Sequence, residues 1–240
     1  MTAPWRIVFD NLAAHYGPQH WWQEDQLGDW LMMVLVQQTN ARNVALAMNN
    51  LQDVLSVDQL LALTPEELAE RIRPARFYLQ KTAHLRGLLT WFKEAGGDFA
   101  AFSARPADQL RNQLLALPGI GPETADVMLM YTFGKKTFVG DEYARRLSQR
   151  IGLGVYKTYA AMHDALQPFA ETLTLNEARE LHALIDEHGK TQIGHPYDDS
   201  FLTAPAVPAV LADQWPVQAV QKDGPHGYPQ LGGKVPAKRI

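Results

Sequence analysis

Nearly every apolar segment of this chain repeats its apolar residues at the three- and four-residue spacing of an amphipathic helix. The alternating runs that are typical of strands are almost missing, and the nearest approach, Lys136 to Val139, is too short to count. The sequence therefore predicts an all-α fold. The predicted helices cover 4–16, 27–37, 41–54, 77–95, 107–116, 122–134, 142–151, 157–168 and 175–188, with a further helix that begins after Thr64.

Capping residues mark two of these helix starts. Thr64 precedes a proline at the first helical position and two glutamates in the first turn, which is a helix-initiating pattern. Thr39 or Asn40 is the expected N-cap of the helix over 41–54. These signals predict short loops between antiparallel or crossing helices.

The sequence changes character after Gly189. Residues 194–240 are rich in proline and glycine and contain few periodically spaced apolar residues. This composition predicts an extended C-terminal tail. Phe201, Leu202 and Trp215 are the residues expected to hold it against the body of the protein.

The composition excludes several classes of protein. Its 46% hydrophobic and 20% charged residues rule out wholesale disorder, and the absence of cysteine rules out disulfides, zinc–thiolate sites and cysteine-held iron–sulfur clusters. The longest apolar run, Trp30 to Val36, is far shorter than the roughly 20 residues of a membrane span. The first ten residues lack the basic and apolar parts of a secretory signal. We therefore expect a cytoplasmic protein with no membrane partner.

The net charge of −4 conceals an uneven distribution. Residues 71–150 carry 13 Lys/Arg against 7 Asp/Glu, whereas the rest of the chain carries 9 against 19. A basic middle in an acidic chain suits a polyanion that docks on one face.

Leu117 to Gly121 (Leu-Pro-Gly-Ile-Gly) form the most informative local pattern, a glycine-rich turn between two predicted helices. Gly119 and Gly121 permit backbone conformations and close approaches that a Cβ atom would block. The exposed amides of Gly119, Ile120 and Gly121, beside a helix N-terminus, can bind a phosphate oxygen. Ile120 is expected to point into the core, and Pro122 suits the first helical turn. The turn therefore predicts contact with a phosphate backbone.

This turn resembles the helix–hairpin–helix of the endonuclease III superfamily of DNA glycosylases. Three further segments match that family in the same order along the chain. Val34–Thr39 resembles its Leu-x-x-Gln-(Gln/Asn)-Thr stretch, 138–152 its catalytic segment, and His188–Lys190 the segment that precedes its iron–sulfur cysteines. The four matches together cover 20–193, which makes the resemblance far more specific than a single hairpin.

The resemblance implies two helical domains with a DNA cleft between them. A six-helix barrel that carries the helix–hairpin–helix would span 26–135, and the second domain would combine 1–25 with 136–193, leaving 194–240 as the tail. Asp141 would lie at the junction of the domains and face the cleft. The implied partner is double-stranded DNA that contains a damaged base, bound by a monomer.

Asp141 opens the predicted helix over 142–151, where backbone amides and the helix dipole favour an ionised carboxylate. By itself it would be simply an N-cap. The resemblance adds a catalytic role, because hydrolysis of an N-glycosidic bond passes through an oxocarbenium-like sugar. A fixed carboxylate stabilises that positive charge and orients the attacking water.

Glu123 is the main departure from the bifunctional members of the family. Those members carry a lysine at this position, which attacks C1′ and forms a Schiff base. A carboxylate cannot form an imine, and the pattern here resembles the iron–sulfur-free 3-methyladenine DNA glycosylases of the same superfamily. Ile193 stands where the first cluster ligand is expected. The resemblance therefore implies a monofunctional glycosylase without a cofactor.

Alkylated purines such as 3-methyladenine carry positive charge, so they leave with little protonation and bind well over electron-rich rings. His20, Trp21 and Trp22 resemble the aromatic segment of those enzymes' base pocket, although the same residues would also suit a domain interface. Gln38 resembles the glutamine that fills the space left by a flipped nucleotide. Ala41 departs from the family pattern, which has another base-stacking aromatic there.

The basic residues around the catalytic segment are expected to contact phosphates and to hold the register without reading sequence. These residues are Lys135, Lys136, Arg145, Arg146 and Arg150. Three histidines on predicted helices, His84, His163 and His182, lack the spacing of metal ligands, so no metal site is expected.

Two other functions remain open at this point. A single sequence determines a base pocket poorly, so the enzyme could remove a mispaired or oxidised base. The chain could also be a catalytically idle DNA-binding module that kept the hairpin. Asp141 argues against the idle module, because binding alone has no use for an acid in the cleft.

Overall fold

The computed structural model describes residues 2–20, 22, 25–191 and 196–205, and the regular secondary structure in this part of the chain is helical, with no strand. Twelve α-helices follow one another in it, which confirms the all-α prediction. They are α1 (Thr2–Tyr16), α2 (Gln26–Leu35), α3 (Ala41–Asn49), α4 (Val57–Ala62), α5 (Pro65–Arg71), α6 (Tyr78–Glu94), α7 (Phe99–Ser103), α8 (Ala107–Leu115), α9 (Pro122–Tyr131), α10 (Glu142–Arg150), α11 (Tyr159–Thr172) and α12 (Leu175–Thr191).

The helix boundaries follow the capping chemistry. Thr64 and Glu67 form a complete capping box at α5, and Asn40 rather than Thr39 caps α3. The predicted helix over 41–54 is too long, because α3 ends at Asn49 and only 52–54 continue, as a short 3₁₀ turn. The short helices α4 and α7 give weak periodic signals and were missed.

The buried apolar side chains form two clusters. The first is built by α2 to α8 with one face of α9, and Trp30 lies at its centre, 5.0 Å from the rings of Phe92 and Phe99. The second joins α1 to α10, α11, α12 and the other face of α9. Met33 packs against both clusters. The two-domain arrangement and its boundaries stay a prediction.

Residues 196–205 lie against the second cluster and are held there by polar contacts. The Asn11 amide donates to the carbonyls of Phe201 (2.9 Å) and Leu202 (3.2 Å), and Leu202 is fully buried. Asp199 accepts hydrogen bonds from Arg150 (2.7 Å) and from the His188 ring (2.7 Å). The expectation that Phe201 and Leu202 hold this segment is confirmed. Trp215 lies outside the described residues.

No helix in the described ranges is both long enough and apolar enough to cross a lipid bilayer.

The packing of 196–205 against the second cluster predicts the effect of shortening one of its buried side chains. Leu202→Ala should lower the free energy of unfolding by about 2–5 kcal/mol, because it removes buried apolar atoms and leaves a cavity. Leu79→Ala is the matched control, since 66% of Leu79 is exposed, and should change stability by less than about 0.5 kcal/mol. Denaturant unfolding of both variants measures the difference. Equal effects would show that the segment does not contribute to folding.

Candidate active site

Asp141 lies where an extended segment enters α10. Its side chain accepts a hydrogen bond from the Ala144 amide at 2.8 Å, so it is the N-cap that the sequence predicts. Gly140, just before it, has little room for a side chain, because an added Cβ would lie 3.1 Å from the Met162 side chain and 3.3 Å from the Tyr159 carbonyl oxygen. The glycine therefore lets the segment approach α11 and bury Asp141, which is 9% exposed.

A fully buried carboxylate holds this region together. Asp126 on α9 accepts two hydrogen bonds from Arg111 on α8, at 2.7 and 2.9 Å, and one from the Tyr159 hydroxyl at 2.8 Å. His163 lies 3.4 Å from the same carboxylate, and its Nδ1 bonds to the Phe138 carbonyl at 2.9 Å. The catalytic segment is therefore tied to α9 and α11 three residues before Asp141.

Burial raises the pKa of Asp141 to about 7. The negative charges of Asp186 and Glu123 contribute to this rise, while the hydrogen bond from Ala144 and the charge of Lys190 oppose it. A carboxyl group with this pKa exchanges its proton close to neutral pH. A strongly shifted pKa is often found at a functional site.

Helix α12 presents three polar residues that the sequence analysis did not place in the site. His182, Asp186 and Lys190 are spaced by four residues and so lie on one stripe of the helix. Lys190 forms an ion pair with Asp186, and His182 Nε2 lies 3.9 Å from Asp141 Oδ2. A polar stripe at four-residue spacing on a buried helix is the signal that would have found them.

Glu123 lies in the first turn of α9 and faces the same site. Desolvation raises its pKa and Glu142 adds to the shift, whereas the nearby Arg145 lowers it. The negative charge of Glu123 also acts on Asp141, and the roles that the resemblance gives to these two residues stay predictions. Among the residues that the structure describes, no three His, Asp or Glu side chains group as metal ligands would.

The hairpin between α8 and α9 has the predicted glycine geometry with one correction. Gly119 has φ +80°, and an added Cβ would overlap the His84 ring beneath it. Ile120 points into the core, and its amide donates to the Leu117 carbonyl at 3.2 Å. The prediction that the Ile120 amide is exposed for a phosphate is therefore wrong. Within the described ranges, the Gly119 and Gly121 amides donate to no backbone carbonyl, so the predicted phosphate contact falls to these two amides and stays a prediction.

The end of α2 lies against this hairpin. The Gln37 amide donates to the Gly119 carbonyl (3.3 Å) and to Thr124 Oγ1 (3.2 Å). Gln38 is exposed with φ +53°, an uncommon conformation for this residue type. Lys81 is buried and donates to the Leu35 carbonyl at 2.7 Å, which fixes the helix end just before the two glutamines. Gln38 is therefore held out from the surface beside the hairpin.

The predicted phosphate-binding residues are exposed to different degrees and bond within the protein. The Lys135 ammonium donates to the Ser103 carbonyl at 2.5 Å, and Lys136 donates to the Glu171 carbonyl at 2.6 Å. The guanidinium groups of Arg145 and Arg146 pair with Glu142, and Arg150 pairs with Asp199. Their contact with DNA stays a prediction.

The loop before α2 is anchored by a buried acid on α12. Glu180 is fully buried and accepts hydrogen bonds from the Gln19 and His20 amides, each at 2.9 Å. The Trp22 ring lies 6.3 Å from the Tyr131 ring, and the Arg179 guanidinium lies 5.7 Å from Trp22. Trp22 and Tyr131 together form the aromatic wall. The Tyr131 hydroxyl also bonds to His182, and His182 Nε2 lies 3.9 Å from Asp141 Oδ2, so the wall lies close to Asp141.

The third member of the predicted pocket, Trp21, lies outside the described residues.

Residues 31–172 match the model of the HhH-GPD superfamily of base excision DNA repair proteins. The match spans more than half of the chain, so the chain belongs to this superfamily, which is a family of DNA glycosylases. Among curated proteins, a candidate DNA repair glycosylase of Methanocaldococcus jannaschii is 34% identical over 190 residues, covering 76% of this chain and 86% of the relative.

Two solved structures have similar folds. The Helicobacter pylori 3-methyladenine DNA glycosylase bound to 1,N6-ethenoadenine superposes with a TM-score of 0.64 at 26% identity, covering 77% of this chain and 98% of that protein. A trapped endonuclease III–DNA covalent intermediate superposes with a TM-score of 0.63 at 21% identity, covering 77% and 84%. The second likeness concerns the fold alone.

The position of Asp141 predicts its effect on catalysis. Asp141→Asn keeps the size and the N-capping oxygen but removes the negative charge, so base release should fall more than about tenfold while duplex binding is retained. Base release by the unmutated protein should rise with pH through about 7, because the carboxylate is the active form. A variant that keeps more than about a tenth of the single-turnover rate, roughly 1.4 kcal/mol or less, would remove Asp141 from the mechanism.

The hairpin predicts binding to the DNA backbone without sequence preference. An added Cβ at Gly121 would meet no protein atom within 4 Å, so Gly121→Leu should fold normally and obstruct only a ligand. The Gly121→Leu variant should lose affinity equally for duplexes of unrelated sequence. The affinity of the unmutated protein for any duplex should fall steeply as the salt concentration rises. Binding titrations over several salt concentrations measure both. Affinity independent of ionic strength would contradict the DNA interface.

Proposed function

We propose that this protein is a monofunctional DNA glycosylase that hydrolyses the N-glycosidic bond of alkylated purines, such as 3-methyladenine, in double-stranded DNA. The observation that carries the proposal is the pair of carboxyl groups at the site. Asp141 has the place of the catalytic acid, and Glu123 stands where a lyase has its lysine. The protein acts as a monomer in this proposal.

The site suits a lesion that is already a good leaving group. A cationic purine accepts the electron pair of the breaking bond without prior protonation, so the reaction needs no strong general acid. The Asp141 carboxylate then stabilises the oxocarbenium-like sugar. Because the helix dipole and the Ala144 amide hold the carboxylate in place before the reaction, little reorganisation is needed.

A Schiff base requires an unprotonated amine that can reach C1′. The chain has a carboxylate at position 123, which provides no amine. Lys190 is the lysine whose charge acts on Asp141, and its ammonium is paired with Asp186. The expected product is therefore an intact abasic site.

The aromatic wall supports recognition of a cationic base. Trp22 and Tyr131 lie side by side next to the catalytic segment, and a cationic ring over tryptophan gains cation–π and stacking energy. The likeness to the Helicobacter pylori 3-methyladenine DNA glycosylase supports the same substrate class. In this proposal the flipped base stacks on Trp21 or Trp22, with His20 at the edge of the pocket.

The DNA backbone is proposed to lie across the hairpin and the basic residues. The Gly119 and Gly121 amides bind one phosphate, and Lys135, Lys136 and Arg145 bind others. Gln38 fills the space left by the flipped nucleotide.

The test is base release from DNA treated with a methylating agent. 3-Methyladenine should be released, abasic sites should remain uncut, and borohydride should trap no protein–DNA adduct. Glu123→Lys is the control that shows whether trapping is detectable at this position. Efficient trapping of the unmutated protein, or excision confined to oxidised pyrimidines or mispaired bases, would refute the proposal. Binding without release of any base would indicate an idle DNA-binding module.

The aromatic wall has its own measurement in the same assay. Trp22→Ala should weaken transition-state binding by about 1–3 kcal/mol if the ring stacks on the flipped base. The loss should appear on methylated DNA and be smaller for binding to undamaged duplex. Equal losses on both would assign Trp22 to the domain interface instead.

A further inference from the structure

We propose that Glu180 is the positioning residue of the base pocket: its carboxylate binds two successive amides of the loop before α2 and thereby holds Trp22 in place for the flipped base. This inference rests on the proposed glycosylase function and concerns which base the pocket accepts. Glu180 does not touch the base and acts through the loop. It lies on α12, outside both the hairpin and the catalytic segment.

Glu180 binds the loop with both of its carboxylate oxygens. Oε2 accepts a hydrogen bond from the Gln19 amide and Oε1 accepts one from the His20 amide, each at 2.9 Å. Successive backbone amides converge on one anion in this way when one of the residues adopts a left-handed conformation. His20 adopts it, with φ +42°. The loop therefore has an anion-binding shape, and the Glu180 carboxylate is the anion.

The conformation of His20 depends on this carboxylate. A positive φ is uncommon for a residue other than glycine, and such residues persist where their surroundings fix them, often at ligand sites. The group that fixes His20 is Glu180, which is fully buried. Without a carboxylate between the two amides, we expect His20 to relax to a negative φ. Because Trp22 follows two residues later, its ring would then move as well.

The same turn of α12 also determines where the partner of Trp22 lies. The Arg179 guanidinium, next to Glu180 in sequence, donates to the Tyr131 carbonyl at 3.1 Å and lies 5.7 Å from the Trp22 ring. The Trp22 ring lies 5.4 Å from the His20 ring and 6.3 Å from the Tyr131 ring. Arg179 and Glu180 therefore attach the end of α9 and the loop to one place, which fixes the two rings of the aromatic wall relative to each other.

The carboxylate is unfavourable for the fold itself. Burial raises the pKa of Glu180 to about 7, and the hydrogen bonds from the two loop amides oppose the rise. The titratable groups that face it are His20, whose Nδ1 lies 3.6 Å from Oε1, and Tyr131, on which its charge acts. Because the folded-state pKa lies above that of an exposed glutamate, ionisation opposes folding, fully so above pH 7. Stability alone therefore does not favour a carboxylate here over a neutral side chain of the same size.

Glu180→Gln removes the carboxylate and keeps the size of the side chain. One oxygen still accepts, but the new amide nitrogen faces the second backbone amide, which then has no acceptor. Glu177→Gln is the matched control. Glu177 lies on the same helix, is also buried, and accepts the Thr174 amide at 2.8 Å and the Arg6 guanidinium at 2.7 Å.

Hydrogen exchange and NMR test the loop without any substrate. The Gln19 and His20 amides should exchange slowly in the unmutated protein and at least about tenfold faster in Glu180→Gln. The Trp22 indole resonance should shift in the same variant, and Glu177→Gln should change neither observation. Fast exchange of both amides in the unmutated protein, or an unchanged Trp22 resonance in Glu180→Gln, would overturn the inference. Because no base release is needed, this result stands or fails separately from the proposed function.

Single-turnover release of 3-methyladenine from methylated DNA tests the consequence for the pocket, above pH 7, where Glu180 is ionised. Glu180→Gln should lower the rate about tenfold, the effect of one lost hydrogen bond to a charged group. It should not lower the unfolding temperature or the affinity for undamaged duplex, and Glu177→Gln should leave the rate unchanged. A Glu180→Gln rate within about threefold of the unmutated protein, or a loss matched by lower stability and lower duplex affinity, would overturn the positioning role.

The coupling between Glu180 and Trp22 separates positioning from a direct role. If Glu180 acts by holding Trp22, Glu180→Gln should lower the rate by less than about threefold in a Trp22→Ala background, because the ring that it positions is already gone. Losses that multiply would show that Glu180 acts independently of Trp22 and would contradict the inference. If the unmutated protein released no base, the proposed function would fail, and the exchange of the Gln19 and His20 amides would still decide whether Glu180 holds the loop.

Discussion

The buried Asp126 carboxylate is the interaction on which the site depends. It joins Arg111 of the first core to Tyr159 and His163 of the second, so it fixes α8, α9 and α11 relative to one another. Removing one charged partner from a buried carboxylate lowers stability by about 3–5 kcal/mol, so this arrangement is not easily changed. His163, next to the Asp126 carboxylate, also bonds to the Phe138 carbonyl, and Phe138 is the first residue of the catalytic segment.

Helix α12 brings the remaining half of the site, and it is anchored near both ends. Glu180 accepts the amides of the loop before α2, and His188 bonds to Asp199 in the docked segment 196–205. Family members with a cluster would place cysteines just after this helix, according to the resemblance. Here a histidine, a carboxylate and the buried Leu202 anchor it with ordinary hydrogen bonds and packing. The stripe that carries His182 is positioned by these contacts.

The sequence predicts those features that local chemistry decides. The capping box at Thr64, the N-cap at Asp141 and the positive φ at Gly119 depend on neighbours within a few residues, and all three are as expected. The Ile120 amide was assigned wrongly, because a tight turn uses it internally. His182 was not placed in the site, because helical periodicity shows which face of a helix is buried but not which distant helix that face contacts. Here the contacted helix is α10, which Asp141 caps.

Exchanging a lyase lysine for Glu123 has an electrostatic consequence for the proposed reaction. A lysine at that position would lower the pKa of Asp141, whereas Glu123 adds negative charge and raises it. Asp141 is therefore less readily ionised when no base is bound. In the proposed reaction a bound cationic purine reverses this, because its positive charge favours ionisation of both acids. A neutral base offers no such charge, so in the proposed reaction the two acids would favour a lesion that is positively charged.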